Sequence, residues 1–204
     1  MTYLLPSTYL GSISYYQLLV QKPSSIIERH EYYVKQTCRS RCYIYGANGV
    51  LKLVIPIKST GNQTAMKDVI IANDTNWQVI HWRSICSAYR SSPFFEFFED
   101  DIAPFYNKPY EKLMDFNHDI QEKILELLNL RPDIGFTKEY HAQPTGVLDV
   151  RDRFKKLQQI QAKSSVPTYI QVFDTNKGFI PNLSIIDLLF NLGPGSLDVL
   201  QKTD

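Results

Sequence analysis

The chain has 204 residues, 44% of them apolar and 21% charged, and a formal net charge of +1. A chain of this size and balance can bury roughly 70% of its unfolded surface, so it needs no disulfide or metal staple to fold. The near-neutral charge excludes a global pull toward nucleic acid or an anionic membrane, and any anion must be held by a local cluster.

Tyr3-Leu4-Leu5, stopped by Pro6, reads as a buried strand. Ser12 or Ser14 then caps a helix over Tyr15–Val20, and Ser25–Glu28 reads as a second strand. That order predicts a crossover joining a parallel pair. Cys42–Tyr45 and Leu51–Ile57 flank Asn48-Gly49 and predict a β-hairpin over about 42–57. Ser59–Lys67 reads as a polar loop, and Val69–Ala72 as a short strand. Asp74 is placed to cap a helix carrying Trp77, Ile80, His81, Ile85 and Ala88. Ser92-Pro93 opens an aromatic helix over Phe94–Tyr106, with proline at its first position.

Leu113, Phe116, Ile120, Ile124 and Leu127 form one stripe of a helix over Leu113–Leu128. Ile134–Tyr140 reads as a strand and Gly146–Ile160 as a helix. Thr168–Phe173 reads as a strand, and Asp174–Lys177 as a turn. The last helix starts at Ser184, with Asp187 completing a capping box, and Gly193-Pro194 stops it. Together these elements predict one α/β domain over residues 1–204: a mixed sheet with a hairpin, and helices packed on its faces.

The polar chemistry gathers between Glu28 and Ile57. Arg39 and Arg41, two apart on the expected strand, would share a face and with Lys35 hold a phosphate or carboxylate. The alternative reading pairs them with the chain's own acids, such as Glu28 and Glu31. Gln36 and Asn48 are placed to orient a substrate. His30, between Glu28 and Glu31, and His81, one helical turn after Trp77, are the candidate proton carriers; a core histidine is the alternative for each. Asn182, Asp187 and Asn191 gather at the last helix, where ligands often bind, or serve there only as cap and turn residues.

Cys38, Cys42 and Cys86 are odd in number and form no CxxC pair, which fits reduced thiols in a cytoplasm. Cys42 follows Arg41, but its apolar flanks read as a structural, buried position. MTYLLPSTYLG lacks the basic region and apolar core of a signal peptide, and no run of 18 apolar residues predicts a membrane span. The histidines are scattered, so no metal site is expected. Neither GxGxxG nor GxxxxGK[ST] occurs, and the sequence points to no particular cofactor.

Four stretches carry a resemblance: HEYYVKQTCRSRCYIYGANG with the following LKLVIPI, DTNW at Asp74–Trp77, DVR at Asp149–Arg151, and GFIPNLSIIDLLFNLGPGSL at Gly178–Leu197. They resemble the WbqC-like protein family, in its compact bacterial branch common in Bacteroidetes. The family takes its name from surface-polysaccharide gene clusters. The resemblance therefore implies a group transferase acting on a nucleotide-sugar or another anionic metabolite in cell-envelope glycan synthesis. The alternative is a non-catalytic binding or assembly protein, dimeric or bound to a partner through its abundant aromatics.

Overall fold

Strand β1 (Thr2–Pro6) is buried along nearly its whole length, as a strand inside a parallel sheet is. The computed structural model that contains it describes residues 2–21, 24–59, 63–155 and 166–202. Helix α1 (Ile13–Gln21) leads to β2 (Ser24–Glu28), which pairs parallel to β1, with Leu4 opposite Ile26 and Pro6 opposite Glu28. The expected strand–helix–strand unit is present. β3 (Arg41–Gly46) and β4 (Gly49–Val54) form the expected antiparallel hairpin. Its two-residue turn closes with Gly49 at φ 107°, which the Asn48-Gly49 pair tolerates at little cost.

Three helices follow: α2 (Trp77–Tyr89), α3 (Phe95–Ile102) and α4 (Leu113–Leu127). On α4 the apolar stripe is buried as its spacing predicts, down to a half-buried Leu127, and Asn117 and Gln121 are buried beside it. Phe116 is the hub: Tyr9, Trp77, Phe105, Tyr106 and Tyr110 all pack on its ring at centroid distances of 5.0 to 6.5 Å. The aromatic stretch around α3 is therefore mostly core; Phe95 is fully buried and Phe97 is 75% exposed.

β5 (Asp133–Phe136) pairs parallel to β2, and β6 (Val147–Asp149) pairs parallel to β1. The sheet order is β5-β2-β1-β6, with the hairpin as a separate two-stranded sheet. The α/β class stands, and strands of both senses are present, divided between the two sheets. The chain ends through α5 (Asp174–Lys177), α6 (Ile185–Leu192) and α7 (Ser196–Gln201).

Several local expectations are corrected. Gly146 has φ 76°, so no helix starts there. The residues after it instead complete the ladder on β1's second edge, and a 3-10 turn follows over Arg151–Phe154; residues 156–160 of the expected helix lie outside the described residues. Residues 168–173 form no strand, because the Gln171 side chain takes a strand partner's place. Its Oε1 accepts from Ile180 N–H and its Nε2 donates to Ile180 C=O, both at 2.9 Å. Asp174–Lys177 is a single helical turn. Val69–Ala72 makes only isolated bridges, Ile70 to Lys112 and Ile71 to Ile57. α2 follows Asn76 rather than Asp74, and Pro93 precedes α3 without entering it. Ser184 precedes α6 without a capping hydrogen bond; its hydroxyl donates to Leu10 C=O at 2.9 Å.

Candidate functional site

In parallel α/β sheets, ligands gather beside the carboxyl ends of the strands, where the strand order reverses. Here β1 is followed outward by β2 and β5 on one side and by β6 on the other. A buried ionic network closes this edge. Glu28, at the end of β2, is 1% exposed. Its Oε1 accepts from His30 N–H at 2.7 Å and the Thr137 hydroxyl at 2.8 Å, and its Oε2 meets Arg151 Nη1 at 3.3 Å. Arg151 also grips Asp149 through Nε at 2.9 Å and Nη2 at 2.6 Å. Those hydrogen bonds hold the Asp149 carboxyl below its ordinary range.

Arg39 extends this network. It lies in the turn before β3, not on the strand, so it shares no strand face with Arg41. Its guanidinium is fully buried and clamps Glu31 Oε1 through Nε at 2.8 Å and Nη2 at 2.5 Å. Burial pushes the Glu31 carboxyl up, opposed by Arg39. The reading in which the chain's own acid engages the arginine holds for Arg39.

Arg41 differs. It opens β3 on the same face as Tyr43, with Lys52 directly across from Tyr43. Among the described residues, no carboxylate forms an ion pair with Arg41 or Lys52. The Arg41 Nε is buried and, among the described residues, has no hydrogen-bond partner. Beside it lies a cavity of about 20 Å³, room for about one water molecule, lined by Gly11, Ser12, Tyr43, Asn182 and Ser184.

The remaining expected residues do not converge. In many α/β proteins the first helix N-terminus receives a phosphate. In this fold the chain's own late residues take that place: Asn182 Oδ1 accepts from Ser14 N–H at 2.8 Å, and Leu183 C=O accepts from Ile13 N–H at 3.0 Å. Asp187 is fully buried and accepts from Tyr89, Tyr169 and Gln171 at 2.5 to 2.8 Å. Burial raises its pKa, opposed by those three donors. Asn191 donates to Asp187 C=O at 2.7 Å. His81 is 4% exposed, with Nε2 against Val54 C=O at 3.1 Å and Nδ1 against the Tyr9 hydroxyl at 2.9 Å. A carbonyl only accepts, so Nε2 carries the proton and Nδ1 accepts from Tyr9. Burial pushes the His81 pKa down to about 4. The His30 ring is partly exposed at the end of β2. Lys35, Gln36 and Asn48 are exposed on turns, and Gln36 holds a left-handed φ of 64°.

Arg151 and Thr137 were not legible as site residues. Only the Asp149-Val150-Arg151 word pointed toward the first, and a lone threonine after a strand carries no signal. All three cysteines are free, and burial pushes the Cys38 thiol up to about 12. Among the described residues, no group of three His, Cys, Asp or Glu side chains is arranged to hold a metal, and no helix is long and apolar enough to cross a membrane.

The model of the WbqC-like protein family matches residues 7–165. A relative from Mycobacterium tuberculosis (strain ATCC 25618 / H37Rv), the uncharacterized protein Rv1507c, is 23% identical over 96% of this chain and 95% of its own length. No solved structure matches.

Proposed function

The chain belongs to the WbqC-like protein family, and from that premise we propose that it binds a small anionic metabolite through Arg41 and transfers a group to or from it. The observation that carries this reading is the Arg41 guanidinium: a partly buried cation with an orphaned Nε and no acid partner among the described residues. An unpaired buried donor costs about 1–3 kcal/mol, and an arriving phosphate or carboxylate oxygen would remove that cost. Lys52 on the same hairpin face would add attraction for the anion. The surface-polysaccharide link implied by the family resemblance favours a nucleotide-sugar or sugar phosphate. Both ring nitrogens of His81 are occupied inside the core, so His81 moves no proton in this reading.

Calorimetric titration with nucleotide-sugars, sugar phosphates and inorganic phosphate tests the proposal. Arg41→Ala is expected to weaken binding by at least about tenfold, the loss of one charge-assisted hydrogen-bond pair. Arg41→Lys should restore part of it, since it returns the charge without the planar fork. Equal binding by the parent and Arg41→Ala would remove the anchor from the reading.

A further inference from the structure

Helix α3 turns an aromatic ring outward. Phe95 and Ile102 lie on its buried side, and Glu96, Phe97 and Asp100 lie on its exposed side. Phe97 is 75% exposed, more than any other aromatic among the described residues. Two acids stand beside it: Glu96, next to it in the chain, and Asp100, one turn on. Neither makes an ion pair among the described residues.

The neighbouring helix carries the opposite charge. α2 holds no acid; Val79, Arg83 and Ser87 follow one another along its exposed stripe, and Arg90 ends it. Trp82, Arg83, Cys86, Ser87 and Arg90 line a shallow groove of about 700 Å³. Arg83 makes no ion pair among the described residues, and Arg90 meets Glu99 at 3.8 Å. The two helices form one surface, because the Trp82 ring stacks on Phe95 at a centroid distance of 6.1 Å. Phe95 lies on the far side of α3 from Phe97, so Phe97 points away from its own groove.

An aromatic knob beside two unmatched acids and an aromatic-floored groove beside two arginines are complementary in charge and in chemistry. One chain presents both on adjoining helices. A two-fold axis needs such a patch, since each copy must offer what the other receives. From this geometry we infer that the α2–α3 face binds a second copy of the chain. Phe97 of each copy sits in the other's groove against Trp82, with Glu96 and Asp100 beside the other copy's arginines. The exposed Val79 and Ile80 widen the apolar part of the contact. The inference stands apart from the Arg41 reading, because it uses a different surface and no small ligand.

Sedimentation velocity on the full chain tests it. A monomer–dimer equilibrium is expected at concentrations up to about 100 μM, weakened by added salt. Phe97→Ser should weaken it at least about tenfold with an unchanged melting temperature, since the ring packs on little of its own chain. Arg83→Glu alone, and Glu96→Lys with Asp100→Lys alone, should each weaken it at least about tenfold. Mixed in equal amounts, those two variants should pair like the parent, because both contacts then join opposite charges. Should Phe97→Ser fail to fold, the mixture decides. Arg41→Ala should associate like the parent. The inference is overturned if the chain stays monomeric at about 100 μM, which would leave the face to a different protein. It is overturned equally if the dimer persists in Phe97→Ser or if mixing the charge variants restores nothing.

Discussion

At the residue scale, the pairing of Arg39 with Glu31 decides how each behaves. A buried guanidinium stripped of its partner keeps its desolvation cost and loses the compensating attraction. Glu31→Gln should therefore destabilise the fold by about 3–5 kcal/mol, read from the urea midpoint at constant slope. The doubly substituted Glu31→Leu, Arg39→Met chain should recover much of that loss, since it buries no orphaned charge. A Glu31→Gln midpoint equal to the parent's would mean the clamp contributes nothing.

His81 makes the second residue-scale prediction. Its folded pKa is about 4, below the ordinary value of 6.5, and the first cause is burial. A depressed histidine stabilises the fold while neutral, fully so above the unfolded pKa. That contribution is lost as pH falls from about 6.5 toward 4. The span corresponds to about 3 kcal/mol. Unfolding free energies measured from pH 7 to pH 4 should fall by about 3 kcal/mol more in the parent than in His81→Gln.

At the element scale, α1 is held at its start by residues that come much later in the chain. Asn182 has φ 55° and its side chain caps the helix, so two costs can be separated. Asn182→Gly keeps the backbone relaxed and loses only the cap, about 1 kcal/mol. Asn182→Ala adds the left-handed strain of a side chain, for a total of roughly 2–3 kcal/mol. Thermal melts that ranked alanine at or above glycine would show that the backbone conformation costs nothing here.

At the scale of the whole molecule, the legible parts of the sequence are those held together by nearby residues. The β1–α1–β2 unit, the hairpin and α4 follow from period, turn chemistry and proline placement within short windows. β6 was hidden, because its three residues become a strand only when β1 offers an edge 145 positions away in register, Thr2 against Val147. The segment after Val166 misled for the opposite reason. Its alternation is that of a strand, but Gln171 satisfies Ile180 with a side chain where a ladder would use backbone. The candidate site was legible in its chemistry and not in its geometry. The cluster of Arg39 and Arg41 was visible, yet only the fold divides them: a turn delivers one to Glu31, and the strand leaves the other without an acid partner among the described residues.

The cap on α1 has a consequence for biosynthesis. Ser14 N–H donates its hydrogen bond to a residue 168 positions downstream, so the ribosome must extend the chain past Asn182 before that end of the helix is sealed. A nascent chain stalled before Asn182 should remain protease-sensitive around Ile13 and Ser14, and extending it through Leu200 should abruptly protect it.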